Sequence, residues 1–155
     1  MHNRDTRERT SRTRDVTWKP VAVMEIKEKT GYWTNLAADD LDSAEIMLEK
    51  KKFLQSGFYC HQTIEKILKA YYWYNREQDP PYTHNLMKLA EAGGLVELLT
   101  EERKRLMDIL MPLNIEARYP DNKIALLKTL TQSRSTEIYR QTKEMFLWMR
   151  SLIEK

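Results

Sequence analysis

Apolar residues recur along this chain at helical spacing, and one stretch sets the pattern for the rest. From Phe58 to Tyr74, Cys60, Ile64, Ile67, Leu68 and Tyr71 follow one another at steps of four, three, one and three. That is the period of an amphipathic α-helix with one face in a core. On another line His61, Glu65 and Lys69 step by four, with Gln62 and Lys66 beside them. Charges one turn apart on such a line can pair, Glu65 with Lys69. This polar stripe is either simply solvated or faces a ligand.

The same period predicts further helices. Ala37, Leu41, Ala44 and Leu48 make a stripe in a helix over Thr34–Lys52, with Gly31, Tyr32 and Trp33 leading in and Thr34 as its cap. Asp39, Asp40, Asp42 and Glu45 then fall near its start and Lys50, Lys51 and Lys52 at its end, complementing the helix dipole. Phe53 to Gly57 reads as a short turn, which makes the helices on either side antiparallel neighbours. Pro80 and Pro81 hold an extended loop. Thr83 caps a short helix through Ala92, closed by Gly93 and Gly94. Thr100, Glu101 and Glu102 start another, buried through Leu106, Ile109, Leu110 and Leu113, with Pro112 as a kink or last regular turn. Ile124 to Leu130 is apolar without a clear type. Ser135 caps a final helix over Thr136–Lys155, its buried side running through Ile138, Thr142, Met145, Met149 and Leu152 and widened by Phe146, Trp148 and Ile153. No strand-like alternation and no fixed-period repeat occurs. The fold expected is all-α: an up-and-down antiparallel bundle of four to five main helices.

Composition narrows the class. The chain has 155 residues, enough for one domain, and only four glycines. No run reaches the roughly 20 apolar residues of a membrane span. The polar, arginine-rich N-terminus is unlike a secretory signal. A single cysteine, Cys60, excludes an internal disulfide and fits a reducing cytoplasm. Charge changes the picture once it is located. Residues 1–19 hold six of the 26 Lys and Arg and three of the 23 Asp and Glu, leaving twenty of each for a neutral body. Bulk charge therefore gives no case for gripping nucleic acid, and any such contact must come from a local patch or the tail. Residues 1–30 read as a basic arm without stable structure, and 31–155 as the helical domain.

Four groups of residues, in order, resemble the HEPN domain family (higher eukaryotes and prokaryotes nucleotide-binding). The first is Tyr32-Trp33 with Ala38-Asp39-Asp40-Leu41 and Ala44. The second is Cys60-His61-Gln62, Ile64-Glu65-Lys66 and Leu68-Lys69-Ala70. The third is Pro80-Pro81 with Thr83-His84-Asn85-Leu86. The fourth is Asn114 and Ala117-Arg118-Tyr119-Pro120-Asp121, followed by Thr142 and Trp148. The resemblance implies a helical bundle, often a homodimer. Its members include nucleotide-binding modules, companions of minimal nucleotidyltransferases in toxin–antitoxin pairs, and metal-independent ribonucleases. The ribonucleases carry an arginine followed after four to six residues by a histidine. Here Arg118 is followed by Tyr119 to Ala125 with no histidine, and Arg76 and His84 are separated by seven residues across the two prolines. The expectation is binding rather than catalysis.

The candidate ligand residues are Arg118, Tyr119, Lys69, Lys66, His84 and Asn114. A guanidinium at a helix end suits phosphate through its planar fork, and two lysines near one turn offer ammonium donors. His84 could meet a phosphate or take a proton near neutral pH. Each has a plainer alternative: Arg118 bridging to Glu116 or Asp121, Lys66 and Lys69 in a surface ion-pair ladder, His84 bonding to its own loop. The aromatic run Tyr71, Tyr72, Trp73 and Tyr74 belongs to the core or an interface, unless an outward ring stacks on a base. Cys60 and His61 are adjacent, so a helix cannot aim both at one ion, and no zinc spacing exists. No cofactor and no metal are expected. The partners expected are a second copy, a nucleotidyltransferase, and a nucleotide or RNA, with no membrane. The alternatives are a ribonuclease built on Arg118 and His84, and a helical dimer that binds only protein.

Overall fold

The computed structural model describes residues 19–115 and 120–154. Among these residues six helices follow in order: α1 Ile26–Glu49, α2 Phe53–Arg76, α3 Leu86–Gly93, α4 Glu101–Ile115, α5 Pro120–Thr129 and α6 Gln132–Ile153. Short 3-10 turns at Val21–Val23 and Val96–Leu98 complete the order, and the described residues include no strand. The expected all-α bundle is what forms, with α2 at its centre: it packs against all five other helices.

Helix α2 takes this place because its apolar residues reach around most of its circumference. Cys60, Ile64, Ile67, Leu68, Ala70 and Tyr71 are all buried, and so are Tyr72 and Trp73. Only Tyr74 of the aromatic run turns outward. The helix starts five residues before Phe58, so Phe53–Gly57 is its first turn and not a connecting loop. The connection is the tighter Lys50–Lys52. Lys51 takes a left-handed φ of 60° there, and Lys52 N donates to Met47 O at 2.8 Å. Small residues let the helices close in. Ser56 Oγ donates to Ala44 O on α1 at 2.8 Å, and a Cβ on Gly57 would lie 2.8 Å from Leu113 Cδ1 on α4.

Helix α1 begins at Ile26, well before the expected Thr34. Glu25 N donates to Glu28 Oε1 at 3.4 Å across its first turn. Thr34 is inside the helix and donates its hydroxyl to Thr30 O at 2.8 Å. The early start moves the boundary expected at residue 31: residues 26–30, read as part of the arm, already belong to the bundle. Asp39, Asp40 and Asp42 sit in the middle of α1 and Glu45 near its C-terminal end, so none of them complements the positive N-terminal end of its dipole. Asp40 instead pairs with Lys66, and Glu45 accepts from the Tyr139 hydroxyl on α6. Residues 1–18 of the arm expected over 1–30 lie outside the described residues.

Two other caps move by a few residues. Asn85, not Thr83, caps α3 by accepting from Lys88 N at 3.0 Å, while Thr83 Oγ1 accepts from Asn85 N at 3.1 Å. Thr131 caps α6 by accepting from Arg134 N at 3.2 Å, which puts Ser135 inside, buried, with its hydroxyl unpartnered. The expected ends at Gly94 and Thr100 hold. Gly94 takes a φ of 78° after α3, and Thr100 Oγ1 accepts from Arg103 N at 3.2 Å. Helix α4 runs through Pro112 to Ile115, and the apolar 124–130 segment is mostly α5. No helix among the described residues is long and apolar enough to cross a membrane.

Candidate functional site

The polar stripe of α2 is not a solvated face. Glu65 is only 3% exposed and His61 wholly buried, because α1, α4 and the loop before α3 close over this side of the helix. A carboxylate in such a place must be paired, and Glu65 is paired twice. Its Oε2 accepts from Lys69 Nζ at 3.2 Å, one turn on. Its Oε1 faces His84 Nδ1 at 2.8 Å. The loop from Glu77 to Asn85 is thus pinned to α2 by a charged hydrogen bond just before α3 begins.

The neighbours of this carboxylate lie on the same stripe. Lys66 Nζ reaches across to Asp40 on α1. Lys69 Nζ lies 5.1 Å from the centre of the Trp33 ring, a cation–π contact from α1. One turn back, Gln62 Nε2 donates to Asn114 Oδ1 on α4 at 2.9 Å. Two of the six predicted residues, Lys66 and Lys69, stand on this stripe, and two more, His84 and Asn114, bond to its Glu65 and Gln62. The other two, Arg118 and Tyr119, lie outside the described residues.

The geometry decides which groups are accessible. Lys66 and Lys69 side chains are 22% and 15% exposed, each with its charge already met by an acid. Asn114 is buried. His84 differs: its side chain is 56% exposed. Bonding Nδ1 to a carboxylate puts the hydrogen of the neutral ring on Nδ1 and leaves Nε2 at the open edge. The result is an orientated imidazole at the rim, backed by a buried acid and a lysine.

His61 contributes no such group. Neither of its ring nitrogens has a hydrogen-bond partner. Burial pushes its pKa down to about 4, against the pull of Glu65 one turn on. The main chain of His84 faces it and favours protonation, but without hydrogen-bond geometry. Cys60 is inert as a nucleophile, since burial pushes its thiol up to about 12 despite the nearby Thr142 and Ser56 hydroxyls. Among the described residues no group of three His, Cys, Asp or Glu side chains could hold a metal ion. Arg76 works elsewhere: its Nε donates to Ala92 O at 3.0 Å and anchors the end of α3.

Sequence reasoning found Glu65 only as a partner of Lys69. Its bond to His84 spans nineteen positions and leaves no periodic signal. Asp40 was misplaced with the helix start, and Trp33 served only as a lead-in. Tyr82, whose ring lies edge-on to His84, had no signal at all.

A family model described as "HEPN domain" matches residues 30–152 of the chain. The crystal structure of TT1696 from Thermus thermophilus has a similar fold, with a TM-score of 0.65 at 20% identity, covering 79% of this chain and 97% of that one. At that identity the likeness concerns the fold alone. No curated protein matches by sequence.

Proposed function

The chain belongs to the HEPN domain family, and from that premise we propose that it is a nucleotide- or RNA-phosphate-binding module. It acts as a homodimer beside a second protein, with a minimal nucleotidyltransferase of a toxin–antitoxin pair as the class of partner. The observation that supports the reading is the buried Glu65 carboxylate with Lys69 on one oxygen and His84 on the other. An acid in this position holds two donors in place before any ligand arrives, which lowers the ordering cost of binding. His84 presents Nε2 outward, which donates to a phosphate oxygen when the ring carries both hydrogens, Lys69 and Lys66 keep the acids beneath it paired, and Arg118 supplies the guanidinium fork.

Calorimetric titration with ATP, GTP and a short RNA tests this. Binding is expected with at least one of them, and Arg118→Ala should weaken it about tenfold, the loss of one charge-assisted hydrogen bond. An Arg118→Ala protein with unchanged affinity removes that residue from the site, and silence with all three ligands removes the reading. Co-purification with the product of the adjacent open reading frame tests the partner.

The same contact favours a second reading, metal-independent RNA cleavage. A carboxylate-held imidazole with a free Nε2 is a competent proton acceptor, and Arg118 would stabilise charge on the phosphate. RNA incubated with the protein and a chelator should then be cut, and His84→Ala should abolish cutting. Intact RNA, or full activity without His84, excludes it.

A further inference from the structure

The loop that carries His84 also carries the most exposed large hydrophobic side chain among the described residues. Tyr82 is 97% exposed. A lone aromatic residue at a surface is ordinary; the setting of this one is not. Pro80 and Pro81 stiffen the backbone before it. After it, Thr83 Oγ1 accepts from Asn85 N at 3.1 Å, His84 is tied to Glu65 at 2.8 Å, and Asn85 caps α3. The ring is therefore displayed by a loop held on both sides. It stands edge-on to the His84 ring, with centroids 6.1 Å apart and planes at 61°. At 97% exposure the Tyr82 faces are open, beside the imidazole.

We propose that Tyr82 is the stacking platform of the site, and that the ligand is an unpaired nucleotide whose base lies on the Tyr82 ring while its phosphate meets His84. This deepens the binding reading above and rests on it. A flat, open π face accepts any base and distinguishes little among them, which is how aromatic platforms hold single strands. The phosphate of the same nucleotide, set off from its base by the ribose, is placed for His84, which stands just beyond the platform and donates from Nε2 when the ring carries both hydrogens. A base inside a duplex is already stacked on both faces and cannot take this seat. The ligand is thus a free nucleotide or a nucleotide in a single strand.

Tyr82→Ala and Tyr82→Trp proteins, compared with the unaltered chain, separate these points. Four probes are titrated: tripolyphosphate, AMP, single-stranded oligoadenylate and an RNA duplex. Tyr82→Ala is expected to lose about tenfold in affinity for oligoadenylate and to keep its affinity for tripolyphosphate, while Tyr82→Trp retains oligoadenylate binding. An equal loss for AMP assigns the site to free nucleotides, and a loss confined to oligoadenylate assigns it to a strand. Equal effects on tripolyphosphate and oligoadenylate, or no effect on either, overturn the platform and leave the phosphate site standing. So does a duplex that binds as well as the single strand and weakens equally in Tyr82→Ala. If the unaltered chain binds none of the probes, the binding reading itself falls and the platform with it.

Discussion

Glu65 and His84 meet at 2.8 Å, one from the interior of the central helix and one from an exposed loop. The Glu65 side chain is 4% exposed and that of His84 56%. One bond therefore joins the core to the rim, and the position of the whole loop before α3 depends on it.

Glu65→Gln should show that dependence. The amide cannot meet the charge of Lys69 and bonds His84 more weakly. Because Lys69 is largely covered, stability should fall by about 2 kcal/mol. Amide hydrogen exchange around residues 82–86 should quicken as well. Urea unfolding that matches the unaltered protein, with unchanged exchange in the loop, would show that the pair does not anchor it.

His61 makes stability depend on pH. Its folded pKa, about 4, lies below the ordinary 6.5 because burial disfavours the charged ring. Between those values the unfolded chain binds the proton and the folded chain does not. The contribution is whole above pH 6.5 and is lost as the pH falls towards 4. From pH 7 to pH 5 the loss should be about 2 kcal/mol. His61→Met, of similar volume, should remove this part of the slope. Identical slopes in both proteins would mean that the ring is not kept neutral.

Asp40 and Lys66 join α1 to α2 at side-chain exposures of 15% and 22%. That places them between a surface pair and a buried one. A double-mutant cycle with Asp40→Ala and Lys66→Ala should give a coupling of about 1 kcal/mol. Strict additivity of the two losses would remove the bridge as a contributor to stability.

Two glycines should respond in opposite directions to alanine. Gly94 has a φ of 78°, and a Cβ there would lie 2.8 Å from Arg76 Nη2. Gly94→Ala should cost about 1–2 kcal/mol and disturb the Arg76 clamp on α3. Gly31 lies inside α1, with nothing within 4 Å of a Cβ built on it. Gly31→Ala should stabilise by about 0.5–1 kcal/mol. Thermal unfolding of both variants checks the pair, and a shift in the same direction would contradict the account.

Helix type and buried faces were legible because both arise from contacts three and four positions apart. Cys60, Ile64, Ile67, Leu68 and Tyr71 on α2, and Ile138, Thr142, Met145 and Met149 on α6, are buried as their spacing predicts. Helix starts were less legible. Thr34, Thr83 and Ser135 are all fit to cap, but so are groups a turn or two away. Glu25, Asn85 and Thr131 occupy the ends because packing on α2 decides how far each helix extends.

The chain by itself determined that it would form helices, which of their faces would be apolar, and that Glu65 could reach Lys69. Each of these follows from the helical repeat within one segment. Only the tertiary structure decided that Glu65 would be buried, that His84 would be its second partner, and that Asp40 and Asn114 would meet Lys66 and Gln62. Those pairs join segments separated by 19, 26 and 52 positions. Their formation depends on how α1, α4 and the loop before α3 close around α2, and no local period encodes that closure.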